Sequence, residues 1–281
     1  MKENIIKEIA NYNIEEDIEK AFPNVWRDLT DGKNIISQSS PISILLGGQP
    51  GAGKSLATMQ IKERLNNNVL VINGDEFRSY HKHYDDFYQL YGKDASKHTR
   101  DFAGKMVAKV RDRAIQERFN IVIEGTFRSV DVPLKELENF NNQGYKSEVV
   151  ICTCPKELSW QSTLKRAEEL EKAGMQPRYV PKEHHDLVTE VLAKNVKAIY
   201  DTGLVSNLEI YSREKQLFHS QKDSPNKIEQ VINNELNGLN QKKNLANLFS
   251  EEFKIASQKV NEKRSQSISI ENHSINNRIK L

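Results

Sequence analysis

Residues 42–55 read "ISILLGGQPGAGKS", and this stretch decides the fold. "ISILL" is a short, nearly continuous apolar run, of the kind buried on both faces of a parallel sheet. The residues that follow are Gly48, Gln49, Pro50, Gly51, Ala52, Gly53, Lys54 and Ser55, and they satisfy the spacing G-x-x-x-x-G-K-[ST]. Glycines let the backbone curl so that successive N–H groups point inward at phosphate oxygens. A helix starting near Lys54 adds its positive end. Lys54 then reaches the outer phosphates, and the Ser55 hydroxyl sits on Mg2+. A chance glycine-rich turn is the competing reading; the strand before and the helix after weigh against it. The stretch predicts a bound nucleoside triphosphate with Mg2+ and leaves the reaction open.

Outward from the loop, apolar runs alternate with helical periodicity. Strands are expected at 42–46, 68–73, 120–125, 147–154 and 208–213, with helices at about 54–67, 94–118, 131–143, 156–173 and 183–201. Alternation of this kind argues for an α/β fold: three layers, with a mainly parallel sheet of five or six strands between helices. Ile5, Ile6, Ile9, Ile14, Ile18 and Phe22 suggest two short N-terminal helices within residues 1–40, with Pro23 as punctuation. The polar, aromatic stretch 76–93 is expected to form loop and short helix over the sheet edge. The expected core spans 41–237. From 238 to 281 the chain becomes a polar tail, with Lys and Arg outnumbering Asp and Glu by eight to four after residue 240. Leu245, Leu248, Phe249, Phe253, Ala256 and Val260 recur at helical spacing there. Beyond about residue 264 little remains to be buried.

A formal charge of +2 over 281 residues excludes a global field directed at nucleic acid, and no run of 18 apolar residues suits a membrane-spanning helix. Neither a nucleic-acid nor a membrane partner is expected, and cytoplasmic residence is the default. Cys152 and Cys154 point to one face of a strand, which is poor geometry for a disulfide, so both read as small buried hydrophobes.

Candidate chemistry lies downstream of the loop. "VLVINGDEFR" (69–78) ends a strand in Gly74 and Asp75, at the edge where open α/β sheets collect ligands. Asp75 is either a base for a substrate hydroxyl or a helix cap. "NIVIEGTFRSVDVP" (120–133) brings Glu124, Thr126 and Arg128 to the same edge as candidate substrate contacts, or as caps of the next helix. Arg166, on a helix, and Arg178, past a Gly-Met-Gln-Pro break, suit a lid that neutralises a transferring phosphoryl group; the alternative is a pair of surface salt bridges. His184 and His185 fall about 100° apart on a helix and read as first-turn residues, not metal ligands.

With these residues collected, the chain resembles the zeta toxins, the kinase halves of epsilon/zeta-type toxin–antitoxin systems. The matching stretches are "LLGGQPGAGKS", "INGDEFR", "DFAGKM", "VIEGTFRSVDVP", "TLKRAEEL", "RYVPKEHHD" and "TGLVSNLEIYSRE", in family order from about residue 38 to 237. The resemblance implies a P-loop kinase that uses ATP to phosphorylate UDP-N-acetylglucosamine at the 3′-hydroxyl of its amino sugar, poisoning a bacterium from within. It implies Asp75 as the base, Lys54 and Ser55 as the loop lysine and metal-binding hydroxyl, and Arg166 and Arg178 as γ-phosphate arginines. Glu124, Thr126 and Arg128 fall where the family contacts the sugar nucleotide. A small helical antitoxin is the implied partner. One departure is Ala108, where some members carry a substrate-contacting Glu. Two alternatives stay open: a kinase for another small-molecule or polynucleotide hydroxyl, and a nucleotide-dependent binding module.

Overall fold

A computed structural model describes residues 6, 8–173, 177 and 179–238. Strand β1 (Ile42–Gly47) runs through the middle of the sheet. It pairs in parallel with β3 (Ile121–Glu124) on one side and with β4 (Lys146–Cys152) on the other. With β2 (Leu70–Ile72), β5 (Asn207–Tyr211) and β6 (Gln216–His219), the order across the sheet is β2-β3-β1-β4-β5-β6. All pairings are parallel except β5 with β6.

Successive side chains along each strand enter opposite faces. On β1, Leu45 joins a large apolar cluster with Ile72, Ile123, Val149 and Ile210, while Ile44 and Leu46 join a second cluster with Val122, Val150 and Cys152. Helix α1 (Ile14–Thr30) covers the first face, while α2 (Lys54–Arg64) covers the second. The sheet is therefore the middle of three layers, a P-loop kinase-type α/β fold.

β1 is followed by β2 on one side of the sheet, and β3 leads across β1 to β4. The loop after β1 thus opens at a topological switch point, where the crevice outside the strand ends holds ligands.

Two expectations need correction. Pro23 does not end a helix: α1 runs through it from Ile14 to Thr30, and Asn13 caps its start. The break falls at residues 11–13 instead. The sequence reading also lacked β6 and a helix at Ile228–Leu236. The stretch 76–93 forms a short helical turn α3 (Gly74–Phe77), a 3-10 turn at Arg78–Tyr80 and helix α4 (Tyr84–Tyr91). Further helices are α5 (Arg100–Gln116), α6 (Asp131–Asn142), α7 (Lys156–Lys172) and α8 (Lys182–Asp201). The described residues fall in one compact unit ending at Gly238, and the tail helix expected at 245–260 lies outside them.

Candidate active site

The loop after β1 is shaped by what its glycines lack. Gly48 has φ +137°, and a Cβ there would lie 2.0 Å from the Cys152 carbonyl oxygen on β4. Gly51 has φ +77°, and its Cβ would lie 2.2 Å from the Ser159 carbonyl oxygen on α7. Only glycine permits this backbone path and this closeness. Gly53, left-handed at φ +99°, then turns the chain into α2.

Lys54 Nζ donates to the carbonyls of Gly48 at 3.0 Å and Gln49 at 3.3 Å, so the ammonium lies folded under its own loop. Burial lowers its pKa, and the Glu124 charge pulls it back up. Glu124 is placed by register: it pairs with Leu46 on β1, and Ile123 pairs with Ile72 on β2. It therefore sits between the loop and the Asn73–Asp75 turn. Its Oε1 accepts from Thr58 Oγ1 at 3.0 Å and its Oε2 from Asn73 Nδ2 at 3.3 Å. Burial pushes this carboxyl above the usual carboxylate range, against the pull of Lys54 and Thr58. Ser55 is exposed on the first turn of α2.

Asn73, not Asp75, caps the turn α3: its side chain accepts the Asp75 N–H at 3.1 Å. The Asp75 carboxylate is left in the first turn, where Arg78 Nε donates to it at 2.9 Å. Arg78 is itself fixed through Nη1 to the Ser96 carbonyl at 2.7 Å and Thr99 Oγ1 at 3.0 Å. The charge of Asp75 bears on Lys54 across the crevice.

The turn after β3 carries Thr126 and Arg128. The Gly125 N–H donates to the Leu46 carbonyl at 2.9 Å. Phe127, buried at φ +56°, fills the space beside Gly47, whose Cβ would meet its ring at 2.4 Å. Thr126 is half-buried and Arg128 exposed on this frame. Arg166 projects from α7, and its charge also bears on Lys54. Arg178 lies outside the described residues. The structure thus brings Lys54, Glu124, Asp75 and Arg166 into one electrostatic group at the strand ends. Both cysteines are free and buried, and burial pushes their thiols up to about 12 for Cys152 and about 11 for Cys154, as small hydrophobes require.

Several residues around the site were not singled out from sequence. Thr58 stands one turn after Lys54, and that spacing was a readable signal. Arg213, just past β5, donates through Nη2 to the Gly51 carbonyl, and to Ser162 Oγ at 2.7 Å. Beside it opens a cavity of about 200 Å³, lined by Gly53, Leu56, Gln60, Tyr211, Arg213 and Lys215 among others. His185 is buried and hydrogen-bonded to Ser159 Oγ at 2.8 Å, behind the phosphate loop. No sequence spacing links these partners.

Known proteins resemble this chain over most of its length. Residues 27–223 match the Zeta toxin family. Toxin PezT of Streptococcus pneumoniae serotype 4 is 38% identical over 226 residues, covering 80% of this chain and 88% of that protein. Toxin zeta of Streptococcus pyogenes is 33% identical over 236 residues, covering 80% and 82%. A solved structure from the PezAT chromosomal toxin–antitoxin system of S. pneumoniae superposes with a TM-score of 0.73 at 32% identity, covering 89% of this chain and 97% of that one.

Proposed function

The chain belongs to the zeta toxin family, and on that premise we propose that it is the toxin of a toxin–antitoxin pair and transfers the γ-phosphoryl group of ATP to the 3′-hydroxyl of UDP-N-acetylglucosamine. The observation that carries the reading is Asp75, an Arg78-held carboxylate facing the phosphate-loop lysine across the strand ends. An NTPase needs only water there; a fixed carboxylate beside a lysine suits an acceptor hydroxyl.

In this scheme the loop backbone and Lys54 hold the phosphates of the donor. Asp75 takes the proton of the acceptor hydroxyl as its oxygen forms the new P–O bond and the bond to the β-phosphate bridge breaks. Arg166, with Arg178, offsets charge on the transferred group. The acidic and hydroxyl groups present suit Mg2+: Ser55 would hold it, with Glu124 behind, and the ion supplies neutralisation of phosphate charge. Thr126 and Arg128 face the acceptor. The cavity beside Arg213 adjoins the loop and offers an apolar floor for a nucleobase. A small helical antitoxin is the expected partner, in keeping with the PezAT relative.

The test is direct. Purified full chain with ATP, Mg2+ and UDP-N-acetylglucosamine should yield a singly phosphorylated sugar nucleotide by mass spectrometry. ADP release that is equal without the acceptor would sink the reading. Asp75→Asn should remove transfer and keep ATP binding; a fully active variant would remove Asp75 as base. Because Ala108 stands on α5 where some members carry Glu, the acceptor panel should include related sugar nucleotides.

A further inference from the structure

Arg213 stands just past β5, on a turn that fixes where its side chain leaves the sheet. The Tyr211 carbonyl accepts the Thr153 N–H at 2.9 Å, which carries the pairing of β4 and β5 to the strand end. Ser212 then closes the turn. Its N–H donates to the Lys215 carbonyl at 2.9 Å, and its Oγ accepts the N–H groups of Glu214 at 3.2 Å and Lys215 at 3.0 Å. From this base the Arg213 stem passes close to the phosphate loop: a Cβ on Gly53 would lie 3.5 Å from its Cγ.

One nitrogen of the guanidinium joins two elements. Nη2 donates to the Gly51 carbonyl in the phosphate loop, and to Ser162 Oγ on α7 at 2.7 Å. Ser162 is oriented to accept, because its own hydroxyl proton goes to the Leu158 carbonyl at 2.8 Å. The same side of α7 packs directly on the loop, since a Cβ on Gly51 would meet the Ser159 carbonyl oxygen at 2.2 Å and Thr163 Cγ2 at 3.2 Å. Arg166 lies one turn beyond Ser162 on that side of the helix. Packing of this kind sets how near the helix lies to the loop. The directional hydrogen bonds from Arg213 set its rotation and its position along the axis.

From this geometry we infer that Arg213 is a positioning residue for phosphoryl transfer: by holding Gly51 and Ser162 on one nitrogen, it fixes where α7 presents Arg166 to the γ-phosphate. The inference rests on reading the site as a kinase with Arg166 at the transferred group. A guanidinium suits the task because its N–H donors leave a rigid plane in set directions, whereas an ammonium on a flexible stem does not. A misplacement of about 1 Å at a group that meets the transition state costs as much as about a hundredfold in rate.

The experiment compares two ligands by calorimetry on the full chain with Mg2+: ADP, and an ATP analogue whose γ-phosphate cannot transfer. Their affinity ratio reads the γ-phosphate contact and needs no acceptor. Wild type should favour the analogue, and Arg166→Ala should remove most of that preference. Arg213→Ala and Ser162→Ala should each lower the ratio about fivefold, the scale of one hydrogen bond, and the double variant should lower it no further. On an Arg166→Ala background neither change should lower it again. Ser162→Thr, which keeps the hydroxyl, should recover most of the loss, and Arg213→Lys only part of it. In turnover, Arg213→Ala should lower kcat by a larger factor than it raises KM for ATP. An unchanged ratio in either alanine variant, losses that multiply in the double variant, or a wild type without preference for the analogue overturns the inference. So does a preference that survives Arg166→Ala. If the ratios shift as stated while wild type leaves UDP-N-acetylglucosamine unphosphorylated, the positioning role stands and only the sugar is removed as acceptor.

Discussion

Gly51 carries the tightest constraint at the scale of single residues. A methyl group there meets a backbone oxygen at 2.2 Å, and its φ of +77° adds about 1–2 kcal/mol for any residue with a Cβ. Gly51→Ala should therefore weaken ATP binding by about tenfold or more, measured by calorimetry; an unchanged affinity would mean that the loop and α7 yield easily. Burial pushes Lys54 and Glu124 toward neutrality, and the charge of each holds the other in its ionised form. Glu124→Gln should slow phosphoryl transfer by about a hundredfold while leaving the fold intact; wild-type turnover in that variant would reduce Glu124 to a strand end. Lys54 and Ser55 became candidates from spacing alone, because a loop of this kind is a local structure. Asp75 was legible as a candidate, but its choice between base and cap depended on Asn73, which takes the cap.

Among the elements, the strands were read closely because a parallel strand buried on both faces must be apolar throughout. β2 is shorter than its apolar run, since Asn66 and Asn67 take positive φ and turn the chain before it. β6 escaped notice because four residues, with Phe218 alone deeply buried, make too short a pattern. Pro23 misled because a proline inside a helix costs about 3 kcal/mol in isolation. In α1 that cost is outweighed by burial of Ile18, Ala21 and Val25, and by the ion pairs of Glu15 with Lys105 and Glu19 with Lys109. The end of α2 is locked to the sheet by Arg64, which bonds Glu148 on β4 at 2.7 Å and Glu209 on β5 at 3.3 Å. Both carboxylates are buried. Arg64→Ala takes the guanidinium from two buried carboxylates, leaving Glu148 with Lys146 at 3.5 Å and Glu209 with the Asn207 amide at 2.8 Å, and should cost about 2 kcal/mol in urea unfolding; a change below about 1 kcal/mol would show that the triad is dispensable.

Taken as a whole, the molecule joins its N-terminal helix to the segment before α4 through an aromatic and histidine cluster. Tyr12 stacks on His81 with ring centroids 4.7 Å apart, and Asp17 accepts from the Tyr12 hydroxyl at 2.9 Å and the Lys82 N–H at 3.0 Å. His81 Nδ1 accepts the His83 N–H at 2.9 Å, so this ring must stay neutral. Burial pulls its pKa down to about 4, with the Asp17 charge opposing. An unfolded histidine binds its proton near pH 6.5, so the native state is favoured above that value and loses stability as pH falls from about 6.5 to 4. Urea unfolding should show a loss of roughly 3 kcal/mol across that window, smaller in His81→Gln, whose amide oxygen can accept the same N–H. Equal losses in both proteins would place the acid sensitivity elsewhere. No helix among the described residues is long and apolar enough to cross a membrane.

The two ends of the sheet have a further consequence. One end is β2, with three residues, and the other is β6, with four. Each offers so little unpaired backbone that a visiting segment gains few main-chain hydrogen bonds by lying alongside. Capture by strand addition, and the runaway stacking that long bare edges invite, are both disfavoured. A protein that engages this one tightly must dock on helices and loops instead.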